Sequence, residues 1–217
     1  MAGTTYLEDR WVFRLGGLAA VAGALLGVVG NLIHPVTPID DPEGVARVIA
    51  QSGSWVPIHL AIVFGIVLML CGLVAIGRSI HEGLAGALSQ LGMVAAVAGA
   101  TIGLVHANET INFALVSAFN LVFGATTFIL FGLAVALGDV YPRALGWVAV
   151  AAGVLSVAAG LIQAAVGEPT EASRLLTIIG PTLITLWLLI MGVLLLRQGR
   201  QASTRMVPAA TPGASSG

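Results

Sequence analysis

The chain has no lysine and few charged residues of any kind: charged side chains make up 9% of its 217 residues. All nine basic residues are arginines, and ten residues are acidic. Hydrophobic residues make up 58% of the chain, and its mean hydropathy is +1.01. This composition excludes a soluble globular domain, because so much exposed apolar surface would aggregate. The few, dispersed arginines also exclude a nucleic-acid-binding surface.

Cysteine and catalytic signatures are scarce as well. Cys71 is the only cysteine, which excludes an intramolecular disulfide and a cysteine-rich metal site. The chain contains no Gly-x-Ser-x-Gly sequence, no phosphate-binding or dinucleotide-binding glycine loop, and no Cys-x-x-Cys-His sequence. The sequence therefore favours a protein that is not an enzyme.

Long apolar runs are what the chain has in abundance. Six of them are almost free of charge and long enough to cross a hydrocarbon core, which takes about 20 residues in a helix; they are residues 14–33, 57–77, 87–107, 113–137, 144–166 and 175–196. Most connections between them are short, so consecutive spans are expected to be antiparallel neighbours. The predicted fold is all-α, a polytopic transmembrane bundle of six helices built from three consecutive hairpins.

The predicted organisation has three parts. Residues 1–13 form a cytoplasmic N-terminal segment, residues 14–197 the six-helix transmembrane domain, and residues 198–217 a disordered cytoplasmic tail poor in large apolar residues. The sequence Asp41-Pro42-Glu43 is a typical helix start. It predicts a short amphipathic connector over 40–52 on the outer side of the membrane.

Orientation is predicted from the arginines, because positively charged residues stay on the cytoplasmic side. Only Arg47 and Arg174 fall on one side of a six-span arrangement. The other side holds the remaining seven: Arg10, Arg14, Arg78, Arg143, Arg197, Arg200 and Arg205. Both termini are therefore expected in the cytoplasm.

Glycines recur at helical spacing in the three spans that run outward. Each of these spans carries a Leu-Gly pair and another glycine seven residues later, namely Leu15-Gly16 with Gly23, Leu91-Gly92 with Gly99, and Leu145-Gly146 with Gly153. Such faces allow helix backbones to approach closely in lipid. We expect them to form interior seams of the bundle.

Polar residues inside the spans are the best pointers to function, since each costs free energy in hydrocarbon unless it is partnered. They gather toward the outer side, and the fourth span carries a stripe that includes Ser117, Gly124 and Thr127. The candidate ligand-binding residues are Asn31, His34, His59, His106, Glu109, Asn112, Asn120 and Gln163.

Three interpretations of this polar group are open. The residues join helices by hydrogen bonds, or they line an outer pocket that binds a small ligand or a partner. In the third interpretation a transition metal or haem is bound by two or three of His34, His59, His106 and Glu109, with His59 and His106 first among them. The protein is then a redox or accessory subunit of a membrane complex. Besides the lipid bilayer, the expected partners are other membrane subunits or further copies of the chain.

Several motifs together carry a family resemblance. His34-Pro35 ends the first span, an acidic amphipathic connector follows, Trp55 and His59 open the second span, and the stretch from Gly72 to Arg78 closes it. With these motifs the chain resembles a bacterial family of six- or seven-span integral membrane proteins of unknown function. The resemblance implies a multi-pass protein of the bacterial plasma membrane and supplies no activity.

Overall fold

The computed structural model describes residues 2–35, 41–106, 117–166 and 170–204. These ranges are almost entirely helical and contain no strand. The elements are α1 (Ala2–Leu32), α2 (Pro42–Gln51), α3 (Trp55–Ser79), α4 (Gly83–His106), the π-helix π1 (Asn120–Thr127), α5 (Phe128–Leu137), α6 (Arg143–Val166) and α7 (Glu171–Thr204).

Six helical segments in these ranges are long and apolar enough to cross a membrane. They are Arg10–Leu32, Trp55–Ser79, Gly83–Gly103, Ser117–Leu137, Arg143–Val166 and Leu175–Gln201. The predicted all-α bundle of six membrane-spanning helices is therefore confirmed. The chain is an integral membrane protein, and the outer faces of its helices contact the lipid bilayer.

The six spans close into a ring in chain order. α1 packs against α3 and α7, α3 against α4, α4 against π1 and α5, and these against α6, which packs on α7. Successive spans are antiparallel, so one end of the bundle holds His34 and His59, here called the histidine end. The opposite end holds Arg14, Arg78 and Arg143, and is called the arginine end.

The first and last helices extend past the apolar runs. α1 begins at Ala2 and α7 continues to Thr204, whereas the apolar runs alone predict spans that begin at 14 and end at 196. The two helices pack against each other near these ends: a Cβ atom on Gly199 would lie 2.8 Å from Cγ of Arg14 and 3.3 Å from Arg10 O. Helical structure thus includes residues where the sequence predicts a cytoplasmic segment and the start of a tail; residues 205–217 lie outside the described residues.

The predicted connector over 40–52 contains a short helix, α2, and its place on the outer side of the membrane stays a prediction. Asp41 caps the helix: one side-chain oxygen accepts a hydrogen bond from the backbone nitrogen of Gly44 at 2.8 Å, and Pro42 occupies the first turn. Arg47 donates to the other carboxylate oxygen of Asp41 at 3.0 Å. The helix ends at Ser52, whose nitrogen donates to Val48 O and Ile49 O.

The predicted glycine seams are confirmed, and they differ in whether the glycine face packs on the hairpin partner. The glycine face of α1 packs on α3, where a Cβ atom on Gly23 would lie 2.7 Å from Gly65 O. In α6 the glycine face packs on α5 and π1, not on its hairpin partner α7; Gly146 approaches Gly132 and the Ala136 backbone. Since Gly99 of α4 also faces π1, the fourth span is held between two glycine faces.

The largest fully buried side chains belong to one hydrophobic core that includes Trp187. Trp187 is almost completely buried, its ring meets Phe128 edge to face at 5.7 Å, and its indole nitrogen donates to Leu145 O at 2.8 Å. The side chains with essentially no exposure around it include Phe128, Phe131, Leu73, Ile76, Leu188, Met191 and Leu195. This packed region fills the interior between the two ends of the bundle.

Candidate functional site

Four of the predicted site residues form two pairs at the histidine end. Asn120 lies beside Gln163, and His34 lies beside His59. Asn31 belongs to neither group, because its side chain is exposed and donates to Gly27 O of its own helix at 2.7 Å. His106 is the last residue of α4, but its side chain lies outside the described part of the chain.

Glu109 and Asn112 also lie outside the described residues, so their place in the predicted site stays a prediction.

The first group is a buried chain of hydrogen bonds across three helices. Asn120 Nδ2 donates to Gln163 Oε1 at 2.9 Å, and Gln163 Nε2 donates to Thr177 Oγ1 at 3.3 Å. Asn120 exposes 4% of its surface and Gln163 exposes 7%. These two hydrogen bonds therefore join π1, α6 and α7 in the interior. Together with Ser117 these residues are called the amide cluster.

Ser117 differs from the other members of the amide cluster. It exposes 4% of its surface, and its hydroxyl has no hydrogen-bond partner within the described part of the chain. A buried hydroxyl without a partner costs about 1–3 kcal/mol of desolvation. Ser117 contributes to the packing through its backbone instead, since a Cβ atom on Gly160 of α6 would lie 3.1 Å from Ser117 O.

The amide cluster is carried by an unusual backbone. Asn120–Thr127 forms a π-helix, whose hydrogen bonds run from residue i to i+5. Two hydroxyls follow the same wide turn: Thr126 Oγ1 donates to Leu121 O at 2.8 Å, and Thr127 Oγ1 donates to Val122 O at 3.1 Å. π-Helical turns are rare and are frequent at functional sites. Helical spacing, which predicts the polar stripe of the fourth span, does not by itself indicate this local geometry.

Apolar side chains close the interior beyond the amide cluster. Phe123 stacks on Phe119 at 5.1 Å and meets Phe128 edge to face at 5.8 Å, and Phe128 in turn contacts Trp187. Phe123 and Phe128 are buried. The buried polar groups around Asn120 are thus separated by aromatic packing from those near the arginine end.

The second group consists of three aromatic rings and is called the histidine cluster: His34, Trp55 and His59. The centroid of the Trp55 ring lies 4.3 Å from that of the His59 ring and 5.1 Å from that of the His34 ring, and the centroids of the two imidazoles are 5.0 Å apart. All three side chains are half-buried. The cluster joins the end of α1 to the start of α3 by ring contacts, without a hydrogen bond between the three side chains among those described.

Each histidine of this cluster is oriented by a backbone carbonyl. His34 Nδ1 lies 2.9 Å from Pro35 O, and His59 Nδ1 lies 2.8 Å from Trp55 O. Because a carbonyl oxygen only accepts, each Nδ1 carries the proton and donates it. In the neutral rings the Nε2 atoms are therefore the ones with a free lone pair.

Burial is the main influence on the acidity of His34. It lowers the pKa of this imidazole below its ordinary value of 6.5, the hydrogen bond to Pro35 opposes that shift, and the nearby charge of His59 adds to it. The His34 ring is consequently held in its neutral form at neutral pH.

The predicted transition-metal or haem site stays a prediction. The structure brings His34 and His59 together, with their ring centroids 5.0 Å apart. Within the described residues no three His, Cys, Asp or Glu side chains come together.

Sequence reasoning missed two members of these clusters. Thr177 was not selected, although it stands three residues before the buried Gly180 on the same face of α7. Trp55 is part of the motif that carries the family resemblance, but its spacing in the sequence does not indicate that its ring lies against both histidines. Both contacts join residues from different helices, which periodicity within one helix does not reveal.

Comparison with protein-family models, with curated proteins and with solved structures found no match in any of the three. The family resemblance carried by the histidine and tryptophan motifs therefore stays a prediction.

Proposed function

We propose that this integral membrane protein is a non-catalytic component that binds a small, uncharged, hydrogen-bonding ligand in the amide cluster. The single observation that carries the proposal is the buried Ser117 hydroxyl, which has no partner in the described part of the chain. A hydroxyl kept inside an apolar bundle at a free-energy cost is suited to a partner that is not part of the protein.

The chemistry of the neighbouring groups defines the ligand class. Asn120, Gln163 and Thr177 are neutral donors and acceptors, and the hydrogen bonds described for their side chains are to one another. The two cross-helix hydrogen bonds use one N–H of each amide group, and a primary amide has two. A ligand with both acceptor and donor groups and no net charge fits this set.

Access from one side is part of the proposal. The aromatic packing of Phe123, Phe128 and Trp187 lies between the amide cluster and the arginine end. This favours a one-sided pocket over a conduit through the bundle. The arginine distribution supports a cytoplasmic arginine end with both termini in the cytoplasm, so the pocket would face the outer side of a bacterial plasma membrane.

The competing explanation is that the amide cluster only joins helices. Interhelical hydrogen bonds between Asn, Gln and Thr contribute about 0.6–2 kcal/mol in membranes without any ligand. That explanation accounts for the bonds between Asn120, Gln163 and Thr177. It does not account for Ser117, whose hydroxyl joins nothing among the described residues.

Native mass spectrometry tests the proposal directly. The full chain is extracted from its membrane in a mild detergent, and the wild type is compared with Asn120→Leu and Thr177→Val. Thr182→Val is a matched control, because the exposed Thr182 hydroxyl donates only to Ile178 O of its own helix among the described contacts.

We expect a bound small molecule on the wild type and the control, with occupancy reduced at least about tenfold in the two cluster variants. Equal occupancy in all four proteins, or no bound molecule on the wild type, would contradict the proposal.

A further inference from the structure

The histidine cluster carries an inference that does not depend on the amide cluster. His34 and His59 are presented by different helices, and their ring centroids are 5.0 Å apart. Their Nδ1 atoms donate to the carbonyls of Pro35 and Trp55. This is the arrangement in which metal-binding histidines are commonly held: one ring nitrogen is tied to a carbonyl, which fixes the tautomer and leaves the other nitrogen for the ion.

We infer that His34 and His59 bind one divalent transition-metal ion of the zinc, nickel or copper class through their Nε2 atoms. Metal–nitrogen bonds of about 2.0–2.1 Å at a tetrahedral angle place two imidazole centroids about 5 Å apart, which is the separation that the two rings already have. Water would occupy the remaining coordination positions, as in sites that keep an open position.

The surroundings favour this class of ion over calcium or magnesium. Those hard cations require several oxygen ligands, and neutral imidazole nitrogen is preferred by zinc, nickel and copper. The described carboxylates in the same connection between α1 and α3 are Asp41 and Glu43. Asp41 is engaged by Arg47 at 3.0 Å and by the Gly44 nitrogen at 2.8 Å, and Glu43 is exposed in the first turn of α2. The pair of rings thus offers nitrogen rather than oxygen.

The position of the pair makes it reachable from water. His34 follows the apolar span that ends at Leu32, and His59 is in the first turns of α3. Both side chains are half-buried. Trp55 lies against both rings, so its fluorescence would report an ion bound between them.

Copper binding tests the inference on the full-length protein in detergent, purified without a polyhistidine tag. Electron paramagnetic resonance of the wild type with one equivalent of Cu²⁺ counts the coordinating nitrogens, and Trp55 emission follows the titration. His34→Asn and His59→Asn are the informative variants, because the asparagine amide replaces the Nδ1 donor and lacks an equivalent of Nε2. His81→Asn is the matched control, since His81 is exposed at the arginine end.

We expect one Cu²⁺ per chain with two nitrogen ligands in the wild type. We expect quenched emission that is absent from Trp55→Phe, at least about tenfold weaker binding in each cluster variant, and binding within about twofold of wild type in His81→Asn. A wild-type spectrum with fewer than two nitrogen ligands overturns the inference even if a variant fails to fold. Wild-type affinity in the His34→Asn/His59→Asn double variant overturns it as well.

Discussion

The amide cluster and the histidine cluster lie at the same end of one bundle and are built differently. In the amide cluster, Asn120, Gln163 and Thr177 are bonded to one another across three helices, in the interior. In the histidine cluster, each imidazole donates to a backbone carbonyl no more than four residues away, and the rings are half exposed. We therefore expect the free energy of unfolding to depend more on the amide cluster, and the half-exposed histidine cluster to be able to bind partners from outside the bundle.

The largest loss of stability is expected from a substitution that displaces the backbone of π1, the helix that carries Asn120 of the amide cluster. In Gly99→Ala the new Cβ atom would lie 2.5 Å from the Phe123 nitrogen in the middle of π1. Backbone cannot shift as a side-chain tip does, so we expect a loss of about 1–3 kcal/mol in the free energy of unfolding. Gly53→Ala is the control, because a Cβ atom there would meet nothing within 4 Å. Reversible unfolding in detergent measures both; equal stability would show that π1 is not clamped.

The next effect concerns the amide hydrogen bonds themselves. Gln163→Leu removes the acceptor of Asn120 and the donor to Thr177, and should lower the free energy of unfolding by about 1–2 kcal/mol. Gln90→Leu changes the same residue type at an exposed position of α4 and should stay within about 0.5 kcal/mol. If the two variants were equally stable, the cross-helix chain would have no role in holding the bundle together.

A buried polar contact at the arginine end tests whether buried hydrogen bonds also contribute to stability outside the membrane-spanning segments. Tyr141 Oη lies 2.8 Å from Ser79 Oγ and 3.4 Å from Gln198 Oε1, and Tyr141 is buried. Burial raises the pKa of Tyr141 above its ordinary value of 10.0, although the hydrogen bonds with Ser79 and Gln198 partly oppose the shift.

As pH rises, the unfolded chain therefore loses the Tyr141 phenol proton at a lower pH than the folded protein does. The stability contributed by the neutral Tyr141 is fully present below pH 10 and declines as pH rises through the higher pKa of the folded protein. Unfolding measured across this alkaline range should show that decline in the wild type and in Tyr6→Phe, and a flatter profile in Tyr141→Phe. An unchanged slope in Tyr141→Phe would assign the alkaline loss to other groups.

The smallest effect is expected in the histidine cluster. His59→Asn keeps a donor for Trp55 O and removes only half-exposed ring contacts, so the free energy of unfolding should change by about 0.5 kcal/mol or less. Thermal unfolding in detergent, compared with Gln163→Leu, measures the contrast. A loss as large as that of Gln163→Leu would remove the distinction between the two clusters.

The sequence was sufficient for the fold because the signals for it are local. Runs of about 20 apolar residues identify spans, and short connections make successive spans neighbours. The cap of α2 could be predicted in the same way, since Asp41, Pro42 and Glu43 are adjacent in the chain. Glycine spacing correctly predicted close seams. It could not predict that the α6 seam faces α5 and π1 rather than α7, because both neighbours are equally adjacent in sequence.

The candidate site was predictable only in its residue types. Asn120 and Gln163 were selected because polar side chains in a span are costly, and they do meet. The five predicted residues whose side chains are described do not form one group: Asn31 turns back on its own helix, while His34 and His59 belong to a separate cluster. Side-chain direction at a helix end and the widened turn of π1 depend on contacts between helices, which a single sequence does not display.

The measurement that tests the ligand-site account most directly is the stability of Ser117→Ala in protein shown by mass spectrometry to carry no bound molecule. Ser89→Ala is the matched control, because Ser89 is equally buried but donates to Ile80 O at 3.0 Å and Gly86 O at 2.9 Å. We predict that Ser117→Ala leaves the free energy of unfolding unchanged or raises it by up to about 1 kcal/mol, while Ser89→Ala lowers it by about 1 kcal/mol. A loss in Ser117→Ala as large as that in Ser89→Ala would mean that the Ser117 hydroxyl serves the fold, and would contradict a site kept open for a ligand.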